Sequence, residues 1–168
     1  LEELIFDERL TDPIKSILST DSLSLWTDKL NLKRPMVGSG FGWHQDSPYW
    51  IHDNEDVDSL PNVYVCLDKA DKENGCFRVI KGSHKKGCLP GTYDDSQLGG
   101  FYTDKDHFDL EDCIDIEANA GSLIFFNYNI WIRFAVKTIF RHTTLHFKNG
   151  NLSCFCSLVN FIWWRKSL

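Results

Sequence analysis

The sequence has little basic charge. Its formal net charge is −6, and its lysines and arginines do not form a stripe. Because the phosphates of nucleic acids are bound by clustered Lys and Arg, nucleic acid is not an expected partner. The sequence also lacks a signal peptide, and no run reaches the roughly 18 apolar residues of a membrane span. We therefore expect a soluble protein with no membrane partner.

Cysteine is present without a pattern. The six cysteines form neither a C-x-x-C pair nor a compact disulfide framework, which excludes a zinc ribbon and a disulfide scaffold. A reducing intracellular compartment fits this usage, with the cytoplasm as the expected location and the peroxisome left open. The chain starts at Leu1 and its only methionine is Met36, so we expect a segment upstream. No pattern fixes the oligomeric state.

Short strands dominate the expected secondary structure. With 168 residues, of which 42% are hydrophobic and 14% aromatic, the chain suits one domain with a real core. Runs rich in β-branched, aromatic and alternating residues are separated by turn signals, and helical periodicity is almost absent. This pattern indicates a mainly β protein, a jelly roll or related sandwich. The expected strands are Leu23–Lys33, Val63–Leu67, Phe77–Ile80, Cys113–Glu117, Ser122–Phe126 and Thr143–Phe147.

Three other segments have distinct local signals. Residues 12–18 predict a short N-terminal helix with Asp12 as the N-cap and Pro13 at the first helical position. The Asn74-Gly75 pair predicts a tight hairpin connection before the strand at residue 77. Residues 90–112 are rich in Gly, Asp and Tyr, so we expect a long loop there.

The triplet His44-Gln45-Asp46 suggests a metal-binding site. On a β-strand, alternate residues face the same side, so His44 and Asp46 can present a nitrogen and a carboxylate oxygen to one cation. Two histidines and one carboxylate on one face of an octahedral metal are the ligand set of non-haem Fe(II) oxygenases. The triplet supplies two members of that set.

Four blocks in order resemble the phytanoyl-CoA dioxygenase family of Fe(II)/2-oxoglutarate oxygenases. The resemblance runs from Asp7 to Asn149 and is carried by residues 42–50, 71–85, 121–126 and 141–147. It implies a double-stranded β-helix, or jelly roll, that holds Fe(II) and uses 2-oxoglutarate and O₂ to hydroxylate a small organic or lipid-like substrate. Succinate and CO₂ would be released.

The resemblance also implies roles for individual residues. His44 and Asp46 match the first two iron ligands. The residues that match 2-oxoglutarate-binding positions are Arg141, Lys33 and Tyr64, although ordinary strand packing would explain each of them too. The residues expected to face the substrate, or to pack beside it, are Gln45, Ser47, Tyr49 and Trp50.

The third iron ligand is missing from its expected place. In the family a histidine follows the Gly-x-Leu-x-Phe-Phe strand at a spacing that falls here on Ile132, which cannot donate an electron pair. His142 or His146 could substitute, but packing explains both. The alternatives are therefore a catalytically impaired member of the same fold, a binding module, or, more distantly, a cupin-like metal protein without 2-oxoglutarate chemistry.

The C-terminal tail departs from the family. We expect residues 1–150 to form the jelly-roll domain, N-terminally incomplete, and residues 151–168 to be a tail unlike the family. A frameshift, retained intron or mis-spliced exon near Trp131 and again near Asn151 would explain both the missing histidine and the apolar tail.

Overall fold

The computed structural model describes residues 3–33, 41–52, 55–93, 101–134 and 140–149. These residues form two α-helices, α1 (Glu8–Leu18) and α2 (Ser47–Trp50), besides several short 3₁₀ turns. Their strands are β1 (Leu23–Lys33), β2 (Phe41–His44), β3 (Pro61–Cys66), β4 (Phe77–Ile80), β5 (Gly91–Tyr93), β6 (Phe101–Thr103), β7 (Cys113–Ile116), β8 (Leu123–Asn127), β9 (Ile132–Phe134) and β10 (Phe140–Asn149).

Two four-stranded antiparallel sheets form the body of the fold. The strand orders are β1-β10-β3-β8 and β2-β9-β4-β7, while β5 and β6 form a separate hairpin. In both sheets the paired strands are distant in sequence, as in a jelly roll. The expected mainly β class and the jelly-roll architecture are confirmed.

Each face of the first sheet packs against a different apolar layer. On its inner face, Tyr64 joins Phe77, Ile132 and Phe134 of the second sheet in a buried cluster between the sheets. On its outer face, Val63, Val65, Leu145 and Phe147 pack with Leu10 and Ile14 of α1. This division follows from the alternation of side chains along β3 and β10.

Helix α1 begins earlier than the sequence suggested. Asp7, not Asp12, is the N-cap, and its side chain accepts a hydrogen bond of 2.9 Å from the backbone N–H of Arg9. Pro13 therefore lies inside the helix, where its missing N–H leaves the Arg9 carbonyl without a helical partner. In the described segments, no helix combines the length and the apolar character needed to cross a membrane.

Two loop predictions also need correction. Gly75 has the positive φ expected of its turn, at 86°, but β4 pairs with β7 and β9 and not with the segment before the turn. The predicted hairpin is therefore wrong, because Asp71 and Asn74 close a local loop instead. The region 90–112 contains the hairpin of β5 and β6 and is not a plain loop.

A β-bulge reverses the two faces of β1. In its pairing with β10, Leu25 lies opposite Phe147 while Thr27 lies opposite His146, so Trp26 is an extra residue. A one-residue shift exchanges the sides to which all later side chains point. Lys29, which would otherwise share the outer side with Leu25, consequently faces the interior between the sheets.

The packing of α1 should be an important source of stability. Leu10 is fully buried, so Leu10→Ala should lower the free energy of unfolding by about 2–5 kcal/mol, through lost burial and the cavity left behind. Ile17 on the same helix is 53% exposed, and Ile17→Ala should change that free energy by less than about 0.5 kcal/mol. Urea denaturation of both variants measures the difference; equal losses would contradict the packing described.

Candidate functional site

A cavity opens between the two sheets, beside the point where His44 of β2 pairs with Ile132 of β9. It offers about 70 Å³ of space, enough for a group of a few heavy atoms. Its walls combine apolar side chains from β8 and β9 with polar side chains from β1, β10 and the end of β2. The lining residues are Lys29, Asn31, His44, Asp46, Phe126, Ile132, Phe134, Thr144 and His146.

His44 and Asp46 meet in this cavity, with His44 Nε2 3.7 Å from Asp46 Oδ1. Strand alternation, however, is not the cause. β2 ends at His44, and Asp46 has helical backbone angles (φ −81°, ψ −26°) at the start of α2. The chain turns after the strand and brings the carboxylate back towards the imidazole.

Hydrogen bonds orient both groups. His44 Nδ1 lies 2.8 Å from the Gly42 carbonyl oxygen, so a proton on Nδ1 leaves Nε2 as the basic nitrogen on the Asp46 side. The side-chain amide of Asn62 donates a 2.6 Å hydrogen bond to Asp46 Oδ2, while Oδ1 is the oxygen nearest His44. Such partners are typical of groups that bind metal ions, because they fix ligand orientation.

Ile132 lies directly opposite His44. The two residues are register partners in the antiparallel pair of β2 and β9, and Ile132 is only 2% exposed. Its side chain supplies hydrocarbon at the place where a third donor would be expected. Within the described ranges, no three His, Cys, Asp or Glu side chains are close enough to enclose a metal ion.

The opposite wall of the cavity is polar. Lys29 and Asn31 of β1 and Thr144 and His146 of β10 line it, and Lys29 and Thr144 are register partners. Lys29 keeps more than a third of its surface exposed, yet the loss of water around it lowers its pKa, against the opposing effect of Asp46. This wall therefore places an ammonium group beside the cavity.

His146 is tied to the turn that connects β8 and β9. Its Nδ1 lies 2.7 Å from the hydroxyl of Tyr128, and both side chains are buried. Burial lowers the pKa of His146, with a smaller contribution from Lys29, while Asp46 opposes the shift. Burial therefore favours the neutral form of His146.

Gln45 acts as a clamp between three segments. Its amide nitrogen donates to the carbonyls of Gly87 (2.9 Å) and Asn129 (2.6 Å), and its oxygen accepts from the N–H of Leu89 (2.8 Å). The side chain is fully buried and does not line the cavity. This geometry gives Gln45 a positioning role, and its expected contact with substrate stays a prediction.

The other residues expected near substrate or co-substrate lie outside the cavity walls. Ser47 is fully buried, Tyr49 is 41% exposed, and Trp50 packs 6.1 Å from the ring of His146. Tyr64 stacks between Phe77 and Phe134 in the apolar layer, where burial raises its pKa. None of these four lines the cavity.

The predicted 2-oxoglutarate residues Arg141 and Lys33 are described only in part. The backbone of Arg141 pairs with Leu32, and that of Lys33 pairs with Phe140. Their side chains, and that of His142, lie outside the described part of the chain, as does the tail 151–168. Their roles remain predictions.

The cavity contains polar residues that the sequence analysis missed. Lys29, Asn31 and Thr144 were not singled out, and His146 was expected only to pack. The leucines of β1 change from odd positions, Leu23 and Leu25, to even positions, Leu30 and Leu32. That change was the available signal for the bulge, and it would have placed Lys29 on the inner face.

A model of the family described as phytanoyl-CoA dioxygenase (PhyH) matches residues 1–132. The chain belongs to the phytanoyl-CoA dioxygenase family. The chain spans only 24–32% of the length of three curated relatives that it matches. The expected family resemblance is confirmed.

Three curated relatives illustrate the similarity. A probable alpha-ketoglutarate-dependent hypophosphite dioxygenase of Stutzerimonas stutzeri is 31% identical over 51% of this chain and 28% of its own length. The L-proline trans-4-hydroxylase of Streptomyces griseoviridis is 35% identical over 38% of this chain and 24% of its own. Phytanoyl-CoA dioxygenase 1 of Oryza sativa subsp. japonica is 29% identical over 55% of this chain and 32% of its own.

Two solved structures show the same fold. The apo non-heme monooxygenase ThoJ superposes with a TM-score of 0.75 at 21% identity, covering 88% of this chain and 54% of its own. EvdO2 from Micromonospora carbonacea var. aurantiaca, complexed with 2-oxoglutarate, superposes with a TM-score of 0.70 at 20% identity, covering 89% and 63%. At these identities, the two structures support the fold alone.

The Gln45 clamp predicts a stability effect. Gln45→Leu removes three hydrogen bonds and leaves buried backbone groups unsatisfied, so the free energy of unfolding should fall by about 3 kcal/mol or more. Asn119→Leu, at an exposed turn position, should change it by less than about 0.5 kcal/mol. Chemical denaturation monitored by tryptophan fluorescence checks this. A small effect at Gln45 would mean that water replaces the clamp.

The lowered pKa of His146 predicts a pH dependence of stability. Because the folded state favours neutral His146, its contribution is complete above the unfolded pKa of about 6.5 and is lost as pH falls towards the lower folded pKa. His146→Gln, which cannot titrate, should therefore show a smaller drop in melting temperature between pH 7.5 and 5.5 than the wild type. Replacing the exposed His84 by Gln serves as the control and should leave the drop unchanged. Equal drops in melting temperature in the wild type and in His146→Gln would show that protonation of His146 does not destabilise the fold.

Proposed function

We propose that this chain is an Fe(II)/2-oxoglutarate-dependent dioxygenase acting on a small molecule, with an incomplete set of metal ligands. The observation that carries this proposal is the approach of His44 Nε2 to within 3.7 Å of Asp46 Oδ1 at the wall of one cavity. Membership of the phytanoyl-CoA dioxygenase family supports it.

His44 and Asp46 supply two of the three donors that a facial metal site needs. An imidazole nitrogen and a carboxylate oxygen suit Fe(II), and Gly42 and Asn62 orient His44 and Asp46 from behind. Ile132 provides no donor. Because each missing ligand lowers both affinity and fixed geometry, we expect weak iron binding by His44 and Asp46.

The residues around His44 and Asp46 would provide an apolar wall and the contacts with the co-substrate. When bound, Fe(II) with 2-oxoglutarate and O₂ supplies the oxidising power for adding one oxygen atom to a substrate, with release of succinate and CO₂. Phe126, Ile132 and Phe134 make one wall apolar and exclude water from it. Of the candidates that the family resemblance suggests for contacts with 2-oxoglutarate, Arg141 and Lys33 remain, whereas Tyr64 stacks in the apolar layer outside the cavity walls.

Small substrates fit the space that the described residues leave. The relatives include enzymes named for hypophosphite and L-proline, both small molecules. The cavity of about 70 Å³ between the described residues admits a compact group. We therefore favour a small organic substrate over a lipid-like one.

A second function is favoured by Ile132 itself. A buried isoleucine opposite His44 suits a family member that keeps the fold as a binding module and has lost efficient catalysis. The two proposals differ in what the unmodified chain does with 2-oxoglutarate. The dioxygenase turns it over slowly, whereas the binding module does not.

Restoring the third donor tests both proposals. Ile132→His should tighten Fe(II) binding by at least about tenfold, as expected for completing a ligand set. Anaerobic calorimetry with Fe(II) measures the affinity, and succinate formed from 2-oxoglutarate measures turnover without the substrate. Ile132→Leu, which keeps the apolar wall, should behave as the wild type.

The double variant His44→Ala/Ile132→His is the matched negative control, because it again has two donors. If Ile132→His binds Fe(II) no better than Ile132→Leu, the proposed location of the metal site is wrong. If the wild type already matches Ile132→His, a third donor is present elsewhere, with His146 or His142 as the candidates.

A further inference from the structure

Strand β8 forms an open edge of the first sheet. The strand order of that sheet is β1-β10-β3-β8, so β8 pairs with β3 on one side, and no described strand pairs with its other side. All five residues of β8 are half-buried, whereas every residue of β3 is buried. This edge therefore exposes part of an apolar strand to solvent.

The hydrogen bonds to β3 show which backbone groups of β8 point outwards. Just before β8, the N–H of Cys66 donates to the carbonyl oxygen of Ser122 at 3.0 Å, and the register continues regularly to Asn127. In an antiparallel ladder, hydrogen-bonded pairs alternate with pairs that are not hydrogen-bonded, so the even-numbered residues of β8 bond to β3. The N–H and C=O groups of Leu123 and Phe125 therefore point towards the open edge.

The other sheet edges have features that discourage pairing with another chain. β1 contains the bulge at Trp26 and three charged residues, and β7 carries Asp115. β2 has only four residues and packs beside β6. Bulges, charges and short length are the usual protection of sheet edges. β8 has none of the three, because its pairing with β3 is regular and residues 120–128 contain neither a charged residue nor a proline.

We propose that β8 is a dimerisation edge, at which it pairs in antiparallel orientation with β8 of a second copy of this chain. A twofold axis brings the same segment against itself, so that segment must be complementary to itself. The uncharged β8 meets this condition, because an identical edge approaches it without repulsion between like charges. A charged peptide would find no opposite charge there.

The outward-pointing groups define the register of the dimer. Odd-numbered residues must lie opposite odd-numbered residues, and the longest overlap places Phe125 opposite Phe125 of the second copy. Two backbone hydrogen bonds then join these residues, and the N–H of Asn127 donates to the carbonyl of Leu123 of the second copy.

The paired side chains also match face by face. Phe125 belongs to the layer that packs with α1, so the two Phe125 rings would meet on the outer face. Ile124 and Phe126 belong to the layer between the sheets, and each would lie opposite the other on the inner face. The two first sheets would become one sheet of eight strands, and this pairing requires no metal ion.

Sedimentation equilibrium of the full chain tests the proposal. Because the contact is smaller than an obligate interface, the wild type should be a dimer at about 100 µM that dissociates on dilution to about 1 µM. Phe125→Lys and Phe125→Glu should each weaken dimerisation at least about tenfold, because an aromatic pair is lost and two like charges face each other. An equimolar mixture of these two variants should dimerise again, because opposite charges then meet at the twofold axis.

Ile114→Lys is the matched control. It places the same charge at a position of β7 that is 40% exposed, on the edge of the second sheet, and it should dimerise as the wild type does. Thermal melts show whether each variant is folded.

Cysteine variants give the answer if the charged variants do not fold. Phe125→Cys should form a disulfide between two copies under mild oxidation, since opposed residues of a hydrogen-bonded pair have Cα atoms about 5.5 Å apart, within disulfide range. Leu123→Cys should not, because it lies opposite Asn127. Peptide mapping identifies the bonded positions.

Several results would overturn the proposal. They are a wild type that stays monomeric at about 100 µM, a folded Phe125→Lys that dimerises like the wild type, loss of the dimer in Ile114→Lys, or equal cross-linking of the two cysteine variants. A monomer that dimerises only after removal of residues 151–168 would assign the edge to the tail of the same chain and would also overturn it. None of these results affects the Fe(II) titration of Ile132→His.

Discussion

The turn between β8 and β9 holds the candidate site together. The carbonyl of Tyr128 accepts hydrogen bonds from the backbone N–H groups of both Asp46 and Ser47, and the carbonyl of Asn129 accepts one from the Gln45 side chain. The hydroxyl of Tyr128 also forms a hydrogen bond with His146 of β10. One turn thus fixes the segment after β2 and orients a side chain of β10. Without it, the bend between His44 and Asp46 would lose the backbone hydrogen bonds of Asp46 and Ser47 and one hydrogen bond of Gln45.

The interior between the sheets is divided by polarity. Towards β3 and β4, aromatic and aliphatic side chains around Phe77 fill the space and supply the burial that stabilises the jelly roll. Towards β1 and β10, side chains such as Lys29 and Thr144 keep a cavity polar. Ile132 belongs to both regions, since it packs in the apolar cluster and also lines the cavity. Its replacement by histidine would extend the polar region by one position at the expense of core packing.

The strands could be predicted from sequence, but the contacts of the site could not. β1 and β4 have the predicted bounds because their composition and turn signals are local, and the approach of His44 to Asp46 was expected. The clamp made by Gln45 joins residues more than 40 positions apart, which no local pattern records. Likewise, Pro13 suggested a helix start because the stronger cap at Asp7 was overlooked.

The bulge at Trp26 takes up one extra residue in β1 without disturbing the pairing on either side of it. Leu25 lies opposite Phe147 and Thr27 lies opposite His146, which are neighbours on β10, so a strand without Trp26 would alternate regularly and would still direct Lys29 to the cavity. If Trp26 were instead part of the regular pairing, Lys29 would turn towards α1 and Leu30 towards the cavity. An insertion in this part of β1 therefore keeps the polar wall of the cavity only when it is accommodated as a bulge.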